Sequence, residues 1–164
     1  MASDIFAKIG DIKGESIDSK HKDEIDVLSF SWGVSQAGSF ASGGGASAGK
    51  AQFNDFHFTS NMSKASPLLF KACATGEHIK EATISGRRPG GEDQGGRQGD
   101  YFIVKMNDVL ITSYQSGGSR ESFPTDAVSM AYAKIEFSYA AQKSDGTLEA
   151  PITAGWDLKA NKKV

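Results

Sequence analysis

The chain has 164 residues, with 18 lysines and arginines against 20 aspartates and glutamates, a formal net charge of −2, and 38% hydrophobic residues. That length suits one domain, spanning 1–164, around one core, and the hydrophobic share excludes a disordered tail. A near-neutral balance without long runs of like charge excludes the basic footprint of a nucleic-acid binder. The single cysteine, Cys73, rules out an intramolecular disulfide and any multi-cysteine metal site, and a reducing cytoplasm is the expected folding compartment. Met1 to Lys8 show no basic stretch leading into an apolar one, and no run approaches the roughly 18 apolar residues of a membrane span. Neither Sec-type export nor membrane insertion is expected.

Glycines number 19 and prolines 4, the mark of a turn-rich chain with rarely interrupted strands. Ile5 to Ile9 is a short strand candidate. From Val27 to Ser35 the even positions Leu28, Phe30, Trp32 and Val34 are apolar and the odd ones, Ser29, Ser31, Gly33 and Ser35, are small and polar, so period two predicts a strand with its even face inward. The glycine-rich stretch Gly38 to Gly49 is too long for a tight turn. Phe53 to Thr59 is β-prone. A helix begins at Ser66 as N-cap with Pro67 at its first position and stops at Gly76; Leu69, Ala72 and Cys73 share a face, which makes Cys73 a small buried residue and not a reactive thiol. Ile79 to Gly86 is another strand, followed by the second glycine-rich segment, Gly86 to Gly99. Tyr101–Met106 and Val109–Tyr114 read as a hairpin turning at Asn107–Asp108. Between Val128 and Gln142 the apolar phase slips, which predicts one long strand with a bulge near Ala133–Lys134. Gly155 to Leu158 is a terminal strand candidate.

Gly44 to Ala51 fits the G-x-x-x-x-G-K pattern of a phosphate-binding loop, but Ala51 stands where a hydroxyl must hold magnesium. No strand leads into the motif and no helix follows it, so nucleotide binding is not expected. His21, His57 and His78 lack partners at metal-ligand spacing. His21, among Asp18 and Asp23, reads as part of a solvated turn, and His57 as lining a sheet face. Arg87, Arg88 and Arg97, interspersed with Glu92 and Asp93, read as a solvated loop of mixed charge. No nucleophile elbow is present. Neither a catalytic site nor a cofactor is expected.

The face of Ser29, Ser31, Gly33 and Ser35 lacks the charged side chains that usually meet water on an antiparallel sheet. It suits close approach by another surface, or the wall of an aqueous channel. Gly14-Glu15-Ser16, His21 and Ile25 to Gly33 resemble the N-terminal signature of the Hcp family, the tube protein of bacterial type VI secretion. Further blocks agree in order: the stretch ending Gly49-Lys50, the helix from Ser66-Pro67 to Gly76, Gly90-Gly91-Glu92, Lys143 to Gly146, and Gly155 to Leu158. Phe30 stands where the family pattern has Trp, and Gln94 to Gly99 is slightly longer than usual.

The resemblance implies a mainly β protein, a two-sheet β-barrel with one short α-helix at its side, assembling as a homohexameric ring. It further implies that rings stack into a tube, that the protein is not an enzyme, and that it moves from the cytoplasm outward through the secretion machine it belongs to. Its partners would be copies of itself, the spike protein, the contractile sheath and secreted effectors. On that basis Ser29, Ser31, Gly33 and Ser35 are expected to line the lumen and contact effectors. Gly43, Gly44, Gly45, Gly49 and Lys50 are expected to form a ring-stacking loop. The alternative is a monomeric β-barrel binding a small apolar ligand.

Overall fold

A computed structural model describes residues 3–39, 47–88 and 99–164. In chain order the elements are β1 (Asp4–Ile9), β2 (Ile25–Ser31), β3 (Val34–Ser35), β4 (Gly38–Ser39), β5 (Ser47–Ala48), β6 (Gln52–Phe53), β7 (Phe56–Asn61), α1 (Ser66–Thr75), β8 (His78–Arg87), β9 (Asp100–Ser119), β10 (Ser122–Tyr139), β11 (Ile152–Asp157) and β12 (Lys162–Lys163). Strands run in the order β12-β11-β10-β7-β2-β1-β8-β9, and β9 pairs back onto β10, so six of them close into an antiparallel barrel. Closure leaves no free edge between those six. The mainly β barrel with one helix at its side is what the chain builds.

Alternation fills the barrel. Phe56 and Phe58 of β7, Ile84 of β8, Val104 and Met106 of β9, and Val128 and Met130 of β10 are each at most 2% exposed. Leu69 and Ala72 bring α1 onto this core; Cys73, half-buried, packs at its margin. The helix ends at Gly76, whose φ of +66° permits its N–H and that of Glu77 to reach back to the last carbonyls. Ser66 is not the N-cap: Ala65 occupies that place. The Ser66 hydroxyl is taken by the buried carboxylate of Asp126 on β10, which also accepts the Tyr114 hydroxyl at 2.9 Å. This pins the start of the helix to the barrel wall.

Three strand details depart from the sequence reading. Tyr101 to Tyr114 is not a hairpin, because β9 continues from Asp100 to Ser119 and turns only after it. Asn107–Asp108 mark a kink in mid-strand, with Asp108 at φ +54°. There the buried positions of β9 change from Phe102, Val104 and Met106 to Val109 and Ile111, while opposite them β10 changes from Met130 and Tyr132 to Ile135. Both strands swap faces together, so the slip near Ala133 needs no extra residue. The register shifts between these two strands lie elsewhere, between Ser122 and Thr125 and between Ser129 and Met130, where β9 skips Thr112.

A further shift falls in β2 between Val27 and Ser29. Before it Ile25 and Val27 face the core; after it Phe30 does, its ring 5.7 Å from that of Phe56 and 5.3 Å from that of Phe102. The apolar even face is therefore not uniformly inward: Leu28 at the bulge is 56% exposed and Val34 is 53% exposed.

Candidate functional site

The bulge at Leu28 leaves Ser29 and Ser31 on the outer surface of β2. Strand register extends that surface into two rows across four strands. In one row Ser31 lies opposite His57, His57 opposite Ser129, and Ser129 opposite Ser113. In the next, Ser29 meets Thr59, Thr59 meets Ala127, and Ala127 meets Gln115. The rows line a shallow open groove of about 330 Å³.

Hydrogen bonds across the strands hold several of these side chains down. Ser29 and Thr59 hydroxyls are 2.6 Å apart, and the His57 ring Nδ1 lies 2.6 Å from the Ser129 hydroxyl. Hydroxyls tied to each other project little and present no net charge. At one end Asp55 accepts the Thr112 hydroxyl at 2.7 Å. Such a face offers weak, exchangeable contacts to a polypeptide surface; it contains no activated nucleophile and no metal-ligand geometry.

Gly33 and Ser35 carry the strip onward from β2. The Gly33 carbonyl accepts the Asn54 N–H at 2.9 Å, and an added Cβ at Gly33 would meet the Asn54 side chain at 3.3 Å. Ser35, exposed, pairs with Gln52 in the β3–β6 ladder. Beyond it Gly38 pairs with Ala48, and the Gly49 N–H donates to the Ala37 carbonyl at 3.1 Å, so the glycine-rich segment is closed at its base. Gly49 and Lys50 are exposed there; Gly43, Gly44 and Gly45 lie outside the described residues.

The sequence matches the family described as type VI secretion system effector, Hcp, over residues 6–139. It is 42% identical to the protein hcp1 of Pseudomonas aeruginosa PAO1 over 163 residues, 98% of either chain. The chain belongs to the Hcp family. Two solved structures agree along the whole length: a type six secretion system protein, 30% identical with a TM-score of 0.90 over 99% of this chain and 100% of that one, and Hcp1 of Salmonella typhimurium, 34% identical with a TM-score of 0.80 over 100% of each. Hcp is a family of structural type VI secretion tube proteins, not of enzymes.

Within this Hcp fold, two residues read from sequence as solvated are partnered and largely buried. His21, 5% exposed, stacks on Phe6 at 4.4 Å and lies between Glu24, 2.8 Å from Nδ1, and Asp100, 3.1 Å from Nε2. Arg87 is the last residue of β8; its guanidinium donates to Asp18 at 2.7 Å. Asp100 is 79 residues from His21 and Asp18 is 69 residues from Arg87 in sequence, so neither pairing was legible from local composition. His57 does line a sheet face, as read. Thr59, Ser113, Gln115 and Ser129 complete that face and were missed, because only strand register joins them to Ser31. No helix among the described residues is long and apolar enough to cross a membrane.

Proposed function

We propose that this chain is the repeating subunit of the type VI inner tube: six copies close into a ring, rings stack, and the outer polar face of β2, β7, β10 and β9 becomes the wall of the lumen. The two cross-strand rows from Ser31 to Ser113 and from Ser29 to Gln115 carry this reading. A passage for other proteins needs a wall that is wetted, weakly charged and mostly of short side chains, which is the character of these rows, His57 and Gln115 being their two longer members. Ser29, Ser31, Gly33 and Ser35 form the effector-contact strip. The glycine-rich segment bearing Gly43, Gly44, Gly45, Gly49 and Lys50 reaches the neighbouring ring. The spike, the sheath and the effectors are the partners, and the protein leaves the cytoplasm through the machine it builds.

Exposed apolar residues on other parts of the surface support assembly: Phe70 of α1 is 60% exposed, Phe123 of β10 66% and Ile152 of β11 79%. Large apolar side chains left in water favour burial against a second surface. A head-to-tail contact of identical copies closes into a ring when its rotation is right. Against a monomeric ligand-binding barrel, the barrel interior is occupied by Phe56, Phe58, Met106 and Met130.

Size-exclusion with light scattering on the purified chain, paired with Ser31→Gln, tests the reading. Wild type and Ser31→Gln should both run as hexamers, and the variant should retain less effector. A strictly monomeric wild type at high concentration overturns the ring, and intact effector retention in Ser31→Gln overturns the lumen assignment.

A further inference from the structure

The segment between β1 and β2 folds into a small irregular loop of its own. Gly14 N–H donates to the Asp23 carbonyl at 2.8 Å and Ser16 N–H to the Glu24 carbonyl at 3.0 Å. Asp18 turns the tip by accepting the backbone N–H groups of Lys20 and His21 at 2.9 and 3.1 Å. At Gly14 an added Cβ would fall 2.4 Å from the Glu24 carbonyl oxygen. Glu15 accepts the Lys64 N–H at 3.1 Å, near the start of α1.

His21 joins this segment to the barrel. One ring nitrogen faces Glu24 of its own segment and the other faces Asp100 at the start of β9. Asp100 pairs in register with Arg87 at the end of β8, whose Nε lies 3.8 Å from it. Arg87 returns to Asp18, so the ring of charges closes. A neutral imidazole has one donor and one acceptor; with a carboxylate at each nitrogen it would aim a lone pair at an anion. Only the imidazolium satisfies both contacts.

We propose that His21 is a charge lock that holds the 14–24 segment to the paired strand ends Arg87 and Asp100, so that a single protonation governs the order of both regions. This inference does not depend on ring assembly. The charged groups of the lock and its flanks are Glu15, Asp18, Lys20, Lys22, Asp23 and Glu24 on its own segment, Arg87 on β8, Asp100 on β9, Asp4 on β1 and Asp26 on β2. Burial of His21 disfavours its charged form, but the hydrogen bonds to Asp100 and Glu24 and their charges outweigh that and hold its pKa at about 9, above the ordinary 6.5. Asp18 is held below the usual carboxylate value: its burial raises it, while the N–H groups of Lys20 and His21 and the charges of Arg87 and His21 outweigh that. Asp26 is pushed up by burial and by Asp4 and Asp18. A raised folded-state value means that the His21 contribution is complete below pH 6.5 and is lost as pH rises through about 9. The lock therefore opens on the alkaline side.

The test uses the full chain labelled with ¹³C-histidine, titrated by NMR, together with amide hydrogen exchange read by mass spectrometry at neutral pH. The His21 imidazole should titrate near 9, and His21→Gln should speed exchange about tenfold or more both in 14–24 and around Arg87 and Asp100, leaving the centre of β10 unchanged. Titration within about half a unit of 6.5 overturns the proposal, as does loosening confined to 14–24. Should His21→Gln fail to fold, Asp100→Asn replaces it: the His21 titration should fall and both regions should loosen, whereas an unchanged titration overturns the lock.

Discussion

His57 and Ser129 meet side chain to side chain across β7 and β10, imidazole Nδ1 to hydroxyl oxygen at 2.6 Å, in the middle of the row that runs from Ser31 to Ser113. On the proposed lumen wall such a contact keeps the surface smooth, since the one histidine of these rows is bound to a neighbour. Replacing Ser129 with glutamine lengthens a side chain at the centre of the row without touching the core. Stability should fall by less than about 1 kcal/mol, and effector retention should drop as for Ser31→Gln; thermal melts and co-purification of effector measure the two.

Gly86 of β8 lies directly opposite Phe102 of β9, and an added Cβ would come within 1.9 Å of the Phe102 ring. That ring is 7% exposed and also packs against Phe30, so it has little room to move. Gly86→Ala should cost about 1–3 kcal/mol through overpacking. The companion change Phe102→Leu in the Gly86→Ala background should recover part of the loss in urea denaturation.

Phe56 is fully buried beneath Phe30 in the barrel interior. Phe56→Ala should destabilise the chain by about 3–5 kcal/mol, the lost transfer energy plus a cavity that a closed barrel cannot readily collapse. Denaturant midpoints compared at an unchanged slope give the number.

Asp126, 2% exposed, holds Ser66 at the start of α1 and Tyr114 on β9. Burial and the Asp126 carboxylate push the Tyr114 phenol above its ordinary value. Asp126→Ala strands the buried Ser66 hydroxyl and should cost about 1–3 kcal/mol. A double-mutant cycle with Ser66→Ala should recover a coupling of about 1 kcal/mol or more; independent, additive losses would show that the two side chains do not act together.

Strand positions were legible where alternation was local: Ile5 to Ile9, Ile79 to Gly86 and most of Val128 to Gln142 lie in strands, whereas Tyr101 to Tyr114 belongs to one strand and not to the expected hairpin. Facing was less so. At Leu28 a one-residue shift in register exchanges inside and outside: the inward residues are the odd Ile25 and Val27 before it and the even Phe30 after it. Leu28, itself apolar, is exposed, so the alternation read from Val27 onward does not reveal the exchange. Asn107–Asp108 carry the residue types of a turn because a mid-strand kink with positive φ makes the same demand on the backbone as a turn does. Of the candidate face, Ser29 and Ser31 could be read from β2 alone, but His57, Ser129 and Ser113 become their neighbours only when four strands lie in register. His21 was hidden for a related reason: its local partners are polar, and the carboxylate that buries it arrives on β9.

Electron cryomicroscopy of the purified full-length chain tests the central claim most directly. Closed six-membered rings around an open hole, with Ser31, His57, Ser129 and Ser113 on the inner wall, are the expected result. Isolated monomers, or rings that turn this row outward, would contradict it.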